Sequence, residues 1–166
     1  FSVQYEGRPT ALKIAKNKMG LEQNSIEANR SLYQRHPNIV IPLIDYDESN
    51  TPPVWVHMEK AKKINKNRFY ELTDIPFEWF ENIIRYEDNR RNPVDSEDSF
   101  FTFDLEYEER VLLKSRNKFL MDVLELVANF DLMGGDIARI QNWGEYKGKA
   151  VLIDVGFNSQ IMAKKI

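Results

Sequence analysis

Apolar and polar positions along the chain sort into short alternating runs, helical stripes and two irregular stretches, and each predicts an element. Residues 2–6 and 10–15 are strand-like runs flanking Gly7, Arg8 and Pro9, a turn combination that folds them into a hairpin. Asn24 followed by Glu27 has capping-box spacing, so a helix is predicted from Asn24 to about Gln34, with Ile26, Leu32 and Tyr33 turned inward. Pro37 stops it, because proline disfavours helical geometry in the residue before it. Residues 39–41 and 43–44 are apolar enough for a buried strand. After a polar turn over residues 47–53, residues 54–58 make another.

Further along, Phe77, Phe80, Ile83 and Ile84 share one face of a helix predicted over residues 76–88. Residues 89–106 carry turn residues, Pro93 and mixed charge, and read as a long loop. Phe119, Leu120, Val123, Leu124 and Val127 follow helical spacing and predict one core helix over residues 108–130, ended by Gly134 and Gly135. A strand-like stretch at 142–144, a turn at 145–149 and an apolar strand at 150–153 complete the pattern. Asp154, Val155 and Gly156 come directly after that strand. A carboxylate there, beside a glycine, is well placed to present charge to a ligand.

Composition bounds the chemistry. The chain has 166 residues, 42% hydrophobic and 30% charged, which suits one domain or two small lobes sharing a cleft. The shift in composition near residue 62 is the best boundary between such lobes. Twenty-three basic and 26 acidic side chains give a net charge of −3, which argues against nucleic acid as partner, because phosphate neutralisation needs a basic face. No apolar run approaches the ~18 residues of a membrane span. With no cysteine, disulfides, thiolate metal sites and a cysteine nucleophile are excluded. His36 and His57 are the sole histidines, so a bound metal is expected to be a hard ion on oxygen ligands, magnesium before zinc. These features fit a cytoplasmic protein. Phe1 in place of Met, with no signal-peptide pattern after it, is expected of a fragment or a processed product.

Two charged stretches stand out. Lys60, Lys62, Lys63, Lys66 and Arg68 form a basic run with no acid inside it. Between Asp95 and Glu109 there are acids and no base, interleaved with Phe100, Phe101, Phe103 and Tyr107. Both read as solvated surface, and the acidic-aromatic segment 95–109 is also the candidate for holding a protein partner.

Four groups of residues, in order, resemble the protein-kinase-like fold. Ala11, Leu12, Lys13 and Ile14 resemble the strand that carries the phosphate-binding lysine. Glu27, ahead of His36-Pro37-Asn38-Ile39-Val40, is similar to the helix glutamate and the sequence that follows it. Residues 54–61 resemble the strand entering the hinge, with Met58 as gatekeeper and Glu59 next. Asp136 and Asn142, followed by Asp154, Val155 and Gly156, resemble the catalytic loop and the Asp-Phe-Gly strand. The resemblance implies an α+β fold: a lobe over residues 1–61, with a small antiparallel sheet and one helix, and a reduced, mainly helical lobe over residues 62–166 containing an insertion at 62–107. It implies that ATP and Mg2+ bind between them. Lys13 would pair with Glu27, Asn142 and Asp154 would hold magnesium, and Asp136 would be the catalytic base. Adenine would meet backbone groups from Glu59 to Ala61 beside Met58.

Taken singly, each residue has a plainer reading: Lys13 as a strand lysine with its head in solvent, Glu27 as a capping residue, Met58 as core. The sequence also departs from the family. Only Gly7 precedes Lys13, Gly134 and Gly135 stand before Asp136 in place of His-Arg, one extra residue separates Asp136 from Asn142, and Val155 replaces Phe. No Ala-Pro-Glu anchor follows Gly156. Two functions are therefore expected: a phosphotransferase with an unnamed acceptor, or an inactive pseudokinase that serves as a protein-binding or assembly module, for example in a viral particle.

Overall fold

The computed structural model describes residues 1–92 and 104–156. The chain is α+β. Strands β1 (Ser2–Tyr5) and β2 (Arg8–Ile14) form the expected hairpin, with Gly7 at φ +76° in its turn, a conformation glycine adopts without steric cost. Helices α1 (Lys18–Glu27) and α2 (Arg30–Arg35) follow, then strands β3 (Leu43–Tyr46) and β4 (Trp55–Glu59). The four strands make an antiparallel sheet in the order β1-β2-β4-β3, and Lys13 stands opposite Val56. Between β3 and β4, Asp47 accepts hydrogen bonds from Ser49, Asn50 and the Val54 amide. Those donors, Ser49 first, hold its carboxyl down to about 2.

A second, three-stranded sheet, β5-β6-β7, is built from β5 (Lys62–Lys63), β6 (Trp143–Tyr146) and β7 (Lys149–Leu152). Between β5 and β6 run α3 (Lys66–Thr73), α4 (Phe77–Arg91), α5 (Tyr107–Lys114), α6 (Lys118–Asn129) and the single turn α7 (Gly134–Ile137), then a 3-10 turn at Ile140–Asn142. The main core lies among these helices, where the ring of Phe69 meets Phe77 at 4.9 Å and Trp143 at 5.4 Å. The indole of Trp143 is fully buried and donates to the Ile137 carbonyl at 2.8 Å, so α7 is fixed to β6. A smaller cluster of Ala28, Ile41, Val56, Met58 and Val151 underlies the first sheet. Among the described residues no helix is long and apolar enough to cross a membrane.

Several elements differ from the sequence expectation, each for a local reason. The helix expected from Asn24 begins earlier, at an N-cap on Asn17, whose side chain accepts from the Gly20 amide at 2.9 Å. Asn24 is buried inside α1, where its amide donates to the carbonyls of Pro53 and Val54. The expected single helix of the first lobe is two, divided at Ala28 and Asn29, because Asn29 caps α2 through the Ser31 amide. Residues 39–41 are not a strand of the first sheet. Val40 forms an isolated parallel bridge with Leu152, closed by Ile41 N–H to Leu152 at 2.9 Å and Leu152 N–H to Ile39 at 2.7 Å.

The expected helix over 108–130 is also two, because Arg116 takes a left-handed φ of 55° and Asn117 caps α6. Gly134 and Gly135 open α7 instead of ending a helix. The basic run contributes β5 and α3, with Lys66 paired to Glu78 and Arg68 to Glu71 and Glu145. Of the expected loop at 89–106, α4 takes the first residues through Arg91, and residues 93–103 lie outside the described residues, as does most of the acidic-aromatic segment. The rest of that segment is structural: Leu105 is buried in the main core, and Glu109 is buried, closes the capping box of α5 and accepts from Asn82 at 2.7 Å.

Candidate functional site

Strand β2 alternates its side chains between the two faces of the sheet, which sends Lys13 toward α1. There its ammonium donates to Glu27 Oε1 at 2.6 Å and to Asp154 Oδ1 at 3.3 Å. Glu27 is held in place by its helix: the hydroxyl of Tyr33 donates to its carbonyl at 2.7 Å, and α1 packs under β4. Its side chain is 0% exposed, against 31% for Lys13 and 40% for Asp154, so the triad runs from the interior to the surface. Only one oxygen of Glu27 has a partner, since Oε2 is buried without one.

Electrostatics follow from that gradient. Burial is the largest influence on Glu27 and raises its carboxyl to about 7, with Lys13 opposing and Asp154 adding to the rise. Burial works hardest on Lys13 too, in the downward direction, but the charges of Glu27 and Asp154 outweigh it and the ammonium is raised. Lys13 is therefore a fixed cation. Glu27 is not a capping residue, and the plainer reading of Lys13 as a strand lysine reaching for solvent is set aside by its two carboxylate partners.

Asp154 stands two residues past the end of β7, and its Oδ1 also accepts from the Gly156 amide at 3.2 Å. Gly156 has no room for a side chain: a Cβ there would stand 2.9 Å from Gln23 Cβ and 3.3 Å from Glu27 Oε1. Thus the turn after β7 lies tightly against α1. Next to Asp154 is a cavity of about 140 Å3 lined by Asp136, Ile137, Arg139, Asn142, Asp154 and Val155. Asn142 donates its amide nitrogen to the Asp136 carbonyl at 2.9 Å, which leaves Oδ1 as the atom it can offer a ligand. Arg139 Nη1 lies 3.5 Å from Asp136 Oδ1. That ion pair was not anticipated, although the i,i+3 spacing of Asp136 and Arg139 was visible.

The structure therefore brings Lys13, Glu27, Asp136, Asn142 and Asp154 to one place. It does not bring the hinge residues to the same cavity. Met58 is buried in the smaller core cluster with its sulfur 4.0 Å from the Tyr33 hydroxyl. Glu59 donates its amide to the Pro42 carbonyl at 2.9 Å and uses its carboxylate to hold Arg8 at 2.8 Å. Ala61 packs against the α carbon of Gly144, where a Cβ would lie 2.7 Å from its own.

For a metal, the donors are oxygens: Oδ1 of Asn142 and the second oxygen of Asp154. That set suits a hard cation such as Mg2+, which takes one or two protein carboxylates and completes its shell with phosphate and water. Among the described residues no group of three or more His, Asp or Glu side chains gathers to hold a metal alone. The residues present offer such an ion two side-chain oxygens, one from Asn142 and one from Asp154. Comparison with family models, curated proteins and solved structures gives no match.

Proposed function

We propose that this chain is an ATP- and Mg2+-binding protein of the kinase-like class, a phosphotransferase whose acceptor carries a hydroxyl. The observation that supports it is the Lys13 ammonium shared between buried Glu27 and Asp154, the latter 141 positions from Lys13 in sequence. A lysine held by a helix glutamate beside a carboxylate at a strand end is the pairing that phosphoryl transfer uses to place and neutralise phosphates. Lys13 contacts the phosphates, Asn142 and Asp154 offer oxygens to the cation, and bound magnesium supplies further charge neutralisation. Asp136 takes the acceptor's proton as its oxygen attacks the terminal phosphorus and the bond to ADP breaks.

The test is thermal unfolding with ATP and ADP, each with and without Mg2+. A magnesium-dependent rise in Tm that disappears in Asp154→Asn, with the ligand-free Tm retained, is the expected result. A flat response in the wild type overturns the reading. It would favour the second one, an inactive pseudokinase acting as a protein-binding or assembly module. One observation supports that alternative: the cavity of about 140 Å3 is smaller than the roughly 300 Å3 of typical small-molecule pockets.

A further inference from the structure

The stretch 62–107 separates β4 and the hinge from the core helix, and its longest described element, α4, ends beside the candidate catalytic turn. At that junction Gly134 has no space for a side chain. A Cβ there would stand 2.6 Å from Asp88 Cβ, 2.7 Å from Asp88 Cγ and 2.8 Å from Asp88 Oδ2. Contacts under 3 Å to a Cβ cannot be relieved by turning a side chain, so either α4 or α7 must move. Asp88 is itself fixed. Its Oδ1 accepts from Arg91 at 3.2 Å and from Asn92 at 3.4 Å, and Arg91 also donates to the Val127 carbonyl of α6 at 3.2 Å.

From Gly134 the chain of contacts leads into the cavity. The Ala138 amide bonds to the Gly134 carbonyl at 2.8 Å, closing the turn of α7. The Asp136 carbonyl on that turn accepts the Asn142 amide at 2.9 Å, and this bond decides which way Asn142 Oδ1 faces. We infer that Asp88 is a positioning residue: by filling the space over Gly134 it sets α7, and through the Asp136 carbonyl it aims Asn142 at the cation. The inference rests on the nucleotide and magnesium reading above, and it gives the 62–107 stretch a task in the site.

The test is a double-mutant cycle of Gly134→Ala and Asp88→Gly, read as the Tm shift with ATP alone and with ATP plus Mg2+. Gly134→Ala is expected to lose most of the magnesium-dependent part of the shift while keeping the part seen with ATP alone, which depends on Lys13. Asp88→Gly, with the space emptied, is expected to show the same loss. The double variant places the alanine methyl in that space and is expected to regain a large part of the magnesium response. If Gly134→Ala does not fold, Asp88→Gly and the double variant carry the comparison. Full magnesium response in either single variant, or a double variant no better than Asp88→Gly, overturns the inference alone. A wild type without magnesium response overturns the underlying reading and this inference with it.

Discussion

Glu27 concentrates the energetics of the site in one carboxylate. Its folded value of about 7 lies above the ordinary 4.5, so between those limits the folded chain holds a proton that the unfolded chain has released. The unfolded state then binds fewer protons, and stability falls as pH rises through that window. Glu27→Gln removes this contribution. The wild type is therefore expected to lose stability relative to Glu27→Gln between pH 5 and pH 7.5, checked by urea unfolding at several pH values. Parallel pH profiles for the two proteins would contradict it. Asp47 acts in the opposite sense, because its folded value of about 2 lies below 3.8: its contribution is present above pH 4 and is lost as pH falls toward 2. Asp154 was legible as a candidate because a strand end presents charge, whereas Lys13 was a candidate only through the resemblance. The carboxylate of Glu27 had two sequence readings, and burial decided between them.

At the scale of elements, patterning located strands well and helix ends poorly. Strands β2, β4 and β7 lie within a residue or two of where alternation and apolar runs put them. Helix boundaries were set by asparagines whose role depends on what is nearby. Asn24 had the spacing of a cap but meets the carbonyls of Pro53 and Val54, while Asn17 takes the cap. Between α5 and α6 the sequence Ser115-Arg116-Asn117 has neither glycine nor proline, so hydrophobic periodicity reads straight through the break. The cap itself is testable. Asn117 Oδ1 accepts from the Leu120 amide at 3.1 Å, and Asn117→Ala is expected to cost about 1 kcal/mol. A lower urea midpoint with unchanged slope is the expected signature.

Across the whole molecule the main core is aliphatic around an aromatic centre, and much of that centre comes from the stretch that sequence read least well. Phe69 of α3, Phe80 of α4 and Phe119 of α6 surround Trp143, whose strand leads toward the cavity, and Phe77 packs against Phe69 and Phe80. The helical face of Phe77, Phe80, Ile83 and Ile84 was visible in sequence; that it packs on β6 and α7 was not, because periodicity gives a face without its partner. Phe80→Ala is expected to cost about 3–5 kcal/mol, read by chemical unfolding with Trp fluorescence. A loss under 1 kcal/mol would show that the core is not built as described.

The bridge between Val40 and Leu152 has a consequence for how the protein is made. On the ribosome, residues 39–41 emerge long before the strand that covers them, and Lys13 waits for Asp154 across 141 residues of chain. Until the final hairpin arrives, Ile41 has only the first sheet to cover it and Ile39 only the unfinished main core, which is the interval in which a nascent chain is exposed to aggregation.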